Sequence, residues 1–160
     1  MRRVALLIAA AACAAPAADS IRPPGAGECV TGRVGNLGSG PIDIPAILRS
    51  PEGPLRLVGD AAKDVLALTG ATVTVCGPLE QGALGMATFE IRSVDEMQAY
   101  LGVLMPTSSG FALDLGGGRP QVPLVGVPVA LADKSGARVW VAGTWLGDGF
   151  AVKSFGVMPS

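Results

Sequence analysis

The side chains that most often carry chemistry are scarce in this 160-residue chain, and histidine is missing altogether. Without an imidazole there is no Ser-His-Asp or Cys-His constellation, and the most common nitrogen ligand for a transition metal is lost as well. Paired carboxylates could still serve a glycosidase-type mechanism. The close pairs are Asp60 with Asp64, one helical turn apart, and Asp95 with Glu96. Asp60 is more simply a helix N-cap, Asp64 a solvated helix position, and Asp95-Glu96 a charged junction. The run Gly116-Gly117-Gly118-Arg119-Pro120 lacks the Lys-Ser/Thr ending of a phosphate-binding loop, and it reads as the turn of a hairpin. The acidic residues do not fall into a calcium-loop spacing. No catalytic residue, metal site or cofactor is assigned from the sequence, and the chain is expected not to be an enzyme.

Three cysteines remain to be placed. Residues 1–18 read as an export signal: Arg2 and Arg3 precede an apolar run from Val4 to Ala12, and a small-residue stretch ends at Ala18. Cys13 follows Ala10-Ala11-Ala12, so lipidation at Cys13 is the alternative reading of the same segment. The apolar run is about half the roughly 20 residues that a spanning helix needs. After cleavage Cys29 and Cys76 are the only cysteines left, and in an oxidising compartment they are expected to pair. The expected location is periplasmic or secreted.

Cleavage also removes two of the 12 basic residues and none of the 13 acidic ones, leaving a net charge of about −3. A mildly acidic chain with scattered Lys and Arg has no electrostatic footprint for nucleic acid. Aromatic side chains are too few, at 4% of the sequence, to build stacking platforms for single strands.

The elements that must position these residues come in two copies. Gly70-Ala71-Thr72-Val73-Thr74-Val75-Cys76-Gly77 recurs as Gly136-Ala137-Arg138-Val139-Trp140-Val141-Ala142-Gly143. Leu57-Val58-Gly59 matches Leu124-Val125-Gly126, and Val30 to Val34 matches Tyr100 to Leu104. Downstream, Phe89 to Val94 is aligned with Phe150 to Phe155. In the first copy, alternation predicts strands over 29–34, 45–49 and 55–58, with Pro51-Glu52-Gly53-Pro54 as a hairpin turn. A helix over 61–68, capped by Asp60 and ended by Gly70, comes next. Strands over 71–76 and 87–93 complete the copy. The second copy is predicted as strands over 98–105, 110–115 and 121–125, a helical turn near 129–133, and strands over 137–144 and 149–157. The expected organisation is a linker over 19–27, a first domain over 28–95 and a second over 96–160.

Three strands, a helix and two strands is the order of the OB-fold, a five-stranded Greek-key barrel. The chain resembles a tandem of OB-like domains of the sort found among small exported bacterial proteins. An SH3-like barrel or a β-sandwich would produce similar runs. The resemblance implies an all-β fold of two tandem barrels with one short helix each. It also makes the first and fourth strands antiparallel neighbours, which sets Cys29 beside Cys76 with both facing outward. The aligned positions in the second copy are Ala99 and Ala142, so both cysteines are missing together.

The remaining candidates for recognition are the two tryptophans. Trp145 precedes Leu146-Gly147-Asp148-Gly149, a tight connection that borders the ligand face in many OB proteins. It is read either as a binding anchor or as a lid over the barrel end. Trp140 has outward parity with Arg138 and lies beside Leu101 and Val103, forming an apolar outer patch that the first copy lacks. Such a patch calls for a partner, and the other barrel or a second copy of the chain is the nearest one. The function expected is a non-enzymatic binding or scaffolding protein of the cell envelope, whose partner is an envelope protein or a small ligand. A hydrolase or carbohydrate-active enzyme using Asp and Glu, and a stress-linked binder of small molecules or cationic peptides, are the alternatives.

Overall fold

The computed structural model describes residues 27–36 and 47–159. The expected export segment over 1–18, Cys13, residues 19–26 of the expected linker and the first two residues of the expected strand over 45–49 lie outside the described residues. The chain is mostly strand, and its strands form one continuous 12-stranded sheet.

In the first half, β1 (Glu28–Gly35), β2 (Ile47–Ser50) and β3 (Gly53–Val58) pair antiparallel in succession. A short helix, α1 (Ala62–Leu66), leads into β4 (Thr72–Gly77), which lies antiparallel against β1. The small strands β5 (Leu79–Glu80) and β6 (Ala83–Gly85) form a hairpin, and β6 runs parallel to β3. Then β7 (Thr88–Val94) returns along β4. Alternation explains the faces: Val73, Val75 and Gly77 of β4 are buried, while Thr72, Thr74 and Cys76 between them are only half-buried.

The second half repeats this plan with longer first and fourth strands. β8 (Met97–Thr107), β9 (Gly110–Asp114) and β10 (Val122–Val125) pair in order, α2 (Val129–Ala132) follows, and β11 (Arg138–Leu146) and β12 (Gly149–Val157) form a long hairpin. β10 runs parallel to β12, and β8 pairs with β11 as well as β9, so these five strands are linked in a ring of pairings.

Hydrogen bonds outside the strands repeat in the same way. Val34 N–H donates to Ala71 and Gly70 N–H to Val34; Leu104 N–H donates to Ala137 and Gly136 N–H to Leu104. Gly77 and Gly143 are equivalent for a steric reason. A Cβ on either would collide with a carbonyl oxygen of the returning strand, Gly85 or Ala151.

Four sequence expectations change. Phe89 corresponds to Phe155, not Phe150, because Val75 pairs with Phe89 as Val141 pairs with Phe155. The counterpart of Phe150 is Leu84, since each meets its parallel partner, Leu124 or Leu57. Asp60 does not cap α1: the N-cap is Ala61, without a side-chain hydrogen bond, because the backbone enters through a turn in which Ala62 N–H donates to Gly59. The hairpin β5–β6 occupies what reads as a loop, folded by Gln81 and Gly82 at φ 48° and 76°. Finally, the charged junction at Asp95-Glu96 narrows to a tight turn. Both residues have positive φ, 49° and 65°, and they make the two-residue turn that pairs β7 with β8.

Two cores result. One gathers Leu104, Leu113, Leu131, Val139, Val141 and Phe150 within the second half. The other gathers Val34, Leu48, Leu57, Val65, Val73 and Val75 in the first half, and it extends across the boundary to Ala99, Ala142 and Met158.

Candidate functional site

Three arrangements bring the candidate residues together. The first is the outward face of β1, β2 and β4. Cys29 and Cys76 are direct cross-strand partners and form a disulfide. Beside them Thr31 and Thr74 are partners whose hydroxyls hydrogen-bond at 2.8 Å, and Arg92 Nε donates to Thr74 Oγ1. One step further Arg33 stands opposite Arg49, and Arg33 Nε donates to the carbonyl of Gly70. The disulfide, hydroxyls and guanidiniums make this face polar, and Thr31, Arg33 and Arg49 are exposed.

The second arrangement is the equivalent face of β8 and β11. Ala99 opposes Ala142, Leu101 opposes Trp140, and Val103 opposes Arg138. The parity places Trp140 outward, where its indole lies over Gly156; a Cβ there would fall on the ring. Trp140 and Leu101 pack against the first-half core, with Phe89, Val94 and Met97 in the same cluster. Arg138 Nη1 reaches Asp64 on α1 at 2.6 Å, and its guanidinium lies 5.5 Å from the centre of the Phe89 ring. Arg119 meets Glu90 at 3.3 Å across the same boundary. A cavity of about 220 Å³ remains between the halves, lined by Phe89, Glu90, Ile91, Leu101, Asp114 and Arg119 among others. Its two carboxylates are engaged. Glu90 is bridged by Arg92 and Arg119, and Asp114 Oδ1 accepts the N–H of Gly116.

The third arrangement is the end of the second half, where the ring of Trp145 lies edge-on to Tyr100 and Phe150, at centroid distances of 6.3 and 5.7 Å. Trp145 Nε1 donates to the hydroxyl of Tyr100, which also accepts from Gln98 Nε2. Phe150 is fully buried, whereas Trp145 keeps 46% of its surface exposed. Trp145 thus has one edge packed over Phe150 and the rest of its surface open. The turn that follows carries Asp148 and Gly149 into the wall of a groove of about 430 Å³, shared with Thr107, Ser109, Phe111 and Gln121. Sequence reasoning missed Tyr100, which stands 45 positions from Trp145 and is reached only because β8 pairs with β11.

Among the described residues, no group of three or more His, Cys, Asp or Glu could hold a metal ion. No helix among them is long and apolar enough to cross a membrane. No family model, curated protein or solved structure matches the chain.

Proposed function

We propose that the protein is an exported, non-enzymatic binding module of the cell envelope, periplasmic or secreted. In this reading it is built from two OB-like barrels, with its recognition element at the aromatic end of the second. The observation that carries it is Trp145: a large side chain held by a hydrogen bond to Tyr100, yet nearly half exposed, on the hairpin whose turn residues Asp148 and Gly149 line a groove. An aromatic side chain fixed in advance loses little entropy on binding, which is why such residues anchor interfaces. The OB-like reading is supported by the ring β8-β9-β10-β12-β11, with its parallel β10–β12 pair and a helix between the third and fourth strands. The Cys29–Cys76 disulfide supports an oxidising location.

The groove favours an envelope protein or a small ligand that offers an apolar portion together with a neutral or cationic polar group. Phe111, Pro123 and Leu124 give it apolar walls, its hydrogen-bonding side chains are Thr107, Ser109 and Gln121, its charge is that of Asp148, and no Lys or Arg among the described residues lines it. The test is affinity capture from envelope extracts with the wild type and Trp145→Ala. One reproducible partner is expected with the wild type and its loss with the variant, while the melting temperature falls by a few degrees at most. Equal capture by both proteins would overturn the role of Trp145.

A further inference from the structure

Arginines that lie scattered along the sequence are gathered by the first half on one sheet face. Arg33 on β1 stands directly opposite Arg49 on β2. Arg56 lies two residues along β3 from Pro54, the partner of Arg49, so it shares that face. Arg92 on β7 reaches the same face, donating from Nε to Thr74 Oγ1, and all four arginines are exposed.

This arrangement is unfavourable for the fold by itself. Like charges placed directly opposite one another destabilise a strand pair, and no ion pair among the described residues offsets Arg33, Arg49 or Arg56. Arg33 uses only Nε, on the carbonyl of Gly70, and the guanidiniums of Arg49 and Arg56 have no hydrogen-bond partner among the described residues. Glu90 is on the face but is held by both Arg92 and Arg119. Asp95 and Glu96 line a cavity with Arg33 and bound the face at the β7–β8 turn. Residues outside the described ones carry two carboxylates, Asp19 and Asp43, against Arg2, Arg3 and Arg22, so they do not neutralise it. Nor does the fold require the doubled charge, since the registered pair in the second half is Val103 with Asp114.

We propose that this face of β3, β2, β1, β4 and β7 binds an acidic polysaccharide, its carboxylates on the arginines and its hydroxyls beside the threonines. A guanidinium fork matches a carboxylate in two parallel hydrogen bonds. Neighbouring strands are about 5 Å apart, so arginines on successive strands offer a row of forks to a chain of regularly spaced charges. A bound carboxylate also removes the repulsion between Arg33 and Arg49. The hydroxyls of Thr31 and Thr74 bond each other, and Thr74 accepts from Arg92. Whichever of the two donates, one hydroxyl proton is left for an acceptor above the sheet. The outward positions around them are Cys29, Cys76, Thr72, Thr88 and Glu90. They supply no ring on which a nucleic-acid base could stack and no apolar cluster to enter a lipid layer.

Calorimetric titration of the purified protein with polygalacturonate at low salt tests this, beside neutral dextran, duplex DNA and phosphatidylglycerol vesicles. Polygalacturonate is expected to bind, more weakly as salt rises, and dextran not to bind. Arg49→Thr and Arg56→Thr should each weaken binding at least about tenfold. Lys153→Thr, which removes a positive charge from β12 of the second half, should change it by less than about twofold. Arg49→Thr is also expected to keep or raise the melting temperature, because it ends the like-charge pair; a purely structural arginine would lower it. The proposal is overturned if polygalacturonate does not bind, if Lys153→Thr weakens binding as much as Arg49→Thr does, or if DNA or the vesicles bind more tightly than polygalacturonate.

Discussion

The same sheet face occurs twice in this molecule and is used in opposite ways. In the first half it carries Cys29–Cys76, Thr31–Thr74 and Arg33–Arg49, and it stays open. In the second half the registered positions are Ala99–Ala142, Leu101–Trp140 and Val103–Asp114, with Arg138 beside them, and the first half packs against it. Core-facing positions hardly differ. Val34 and Leu104, Leu48 and Leu113, Val65 and Leu131, Val73 and Val139, and Val75 and Val141 are all apolar and nearly inaccessible. A duplicated fold can therefore specialise through its outward positions alone. Period-two alternation lets one face change while the other keeps packing. The open copy is closed covalently by the disulfide, and the covered copy is held by its contact with the first.

The largest expected effect removes the covalent side of this contrast. Replacing Cys29 and Cys76 together by alanine frees a loop of sequence separation 47, and the chain-entropy account gives a loss of about 3–4 kcal/mol. Urea unfolding of the double variant against the wild type measures it. The comparison breaks if stability is unchanged, because the open face would then need no staple.

Next in size is Trp140→Ala, set against Thr74→Ala at the registered position. Trp140 is half-buried over Gly156 and in the shared core, so its truncation should cost about 2 kcal/mol, below the range for a fully buried aromatic. Thr74→Ala removes hydroxyl contacts to Thr31 and Arg92 on an open face, a loss of about 1 kcal/mol or less. Equal losses in thermal unfolding would mean that the two faces are not used differently.

Much of this contrast was legible in the sequence. Alternation in 71–76 and 137–144 marks both fourth strands, and the joint absence of cysteines at Ala99 and Ala142 predicts which half is stapled. The outward parity of Trp140 is local information as well. What the sequence hid was set by geometry between distant residues. Pro78 interrupts the fourth strand of the first half, so β5 and β6 read as loop, and the same interruption shifted the apparent match of Phe89 by five positions. An aspartate before an alanine-rich run carries the signal of an N-cap, yet the turn at Gly59 places Ala61 there instead. The groove at the Asp148-Gly149 turn draws Thr107, Ser109, Gln121 and Asp148 from separate connections, which no spacing rule joins.

The smallest expected effect concerns how the two halves are fastened at their rim. Arg138 makes two contacts at once, an ion pair with Asp64 and coverage of the Phe89 ring. Both charged groups remain partly exposed, so solvent screening limits the pair to about 0–1 kcal/mol. The long arginine stem excludes water from Phe89 whatever its charge does. Arg138→Met should therefore keep most of the stability, whereas Arg138→Ala loses the covering stem too and should fall further, by about 1 kcal/mol in all. Denaturation at low and high salt separates the parts. If packing fastens the rim, the difference between wild type and Arg138→Met is small and shrinks with salt, while Arg138→Ala stays less stable at both. If the methionine variant falls as far as alanine at low salt and recovers no difference at high salt, charge alone fastens it. The covered face would then depend on an exposed ion pair, where the half-buried indole of Trp140 is expected to dominate.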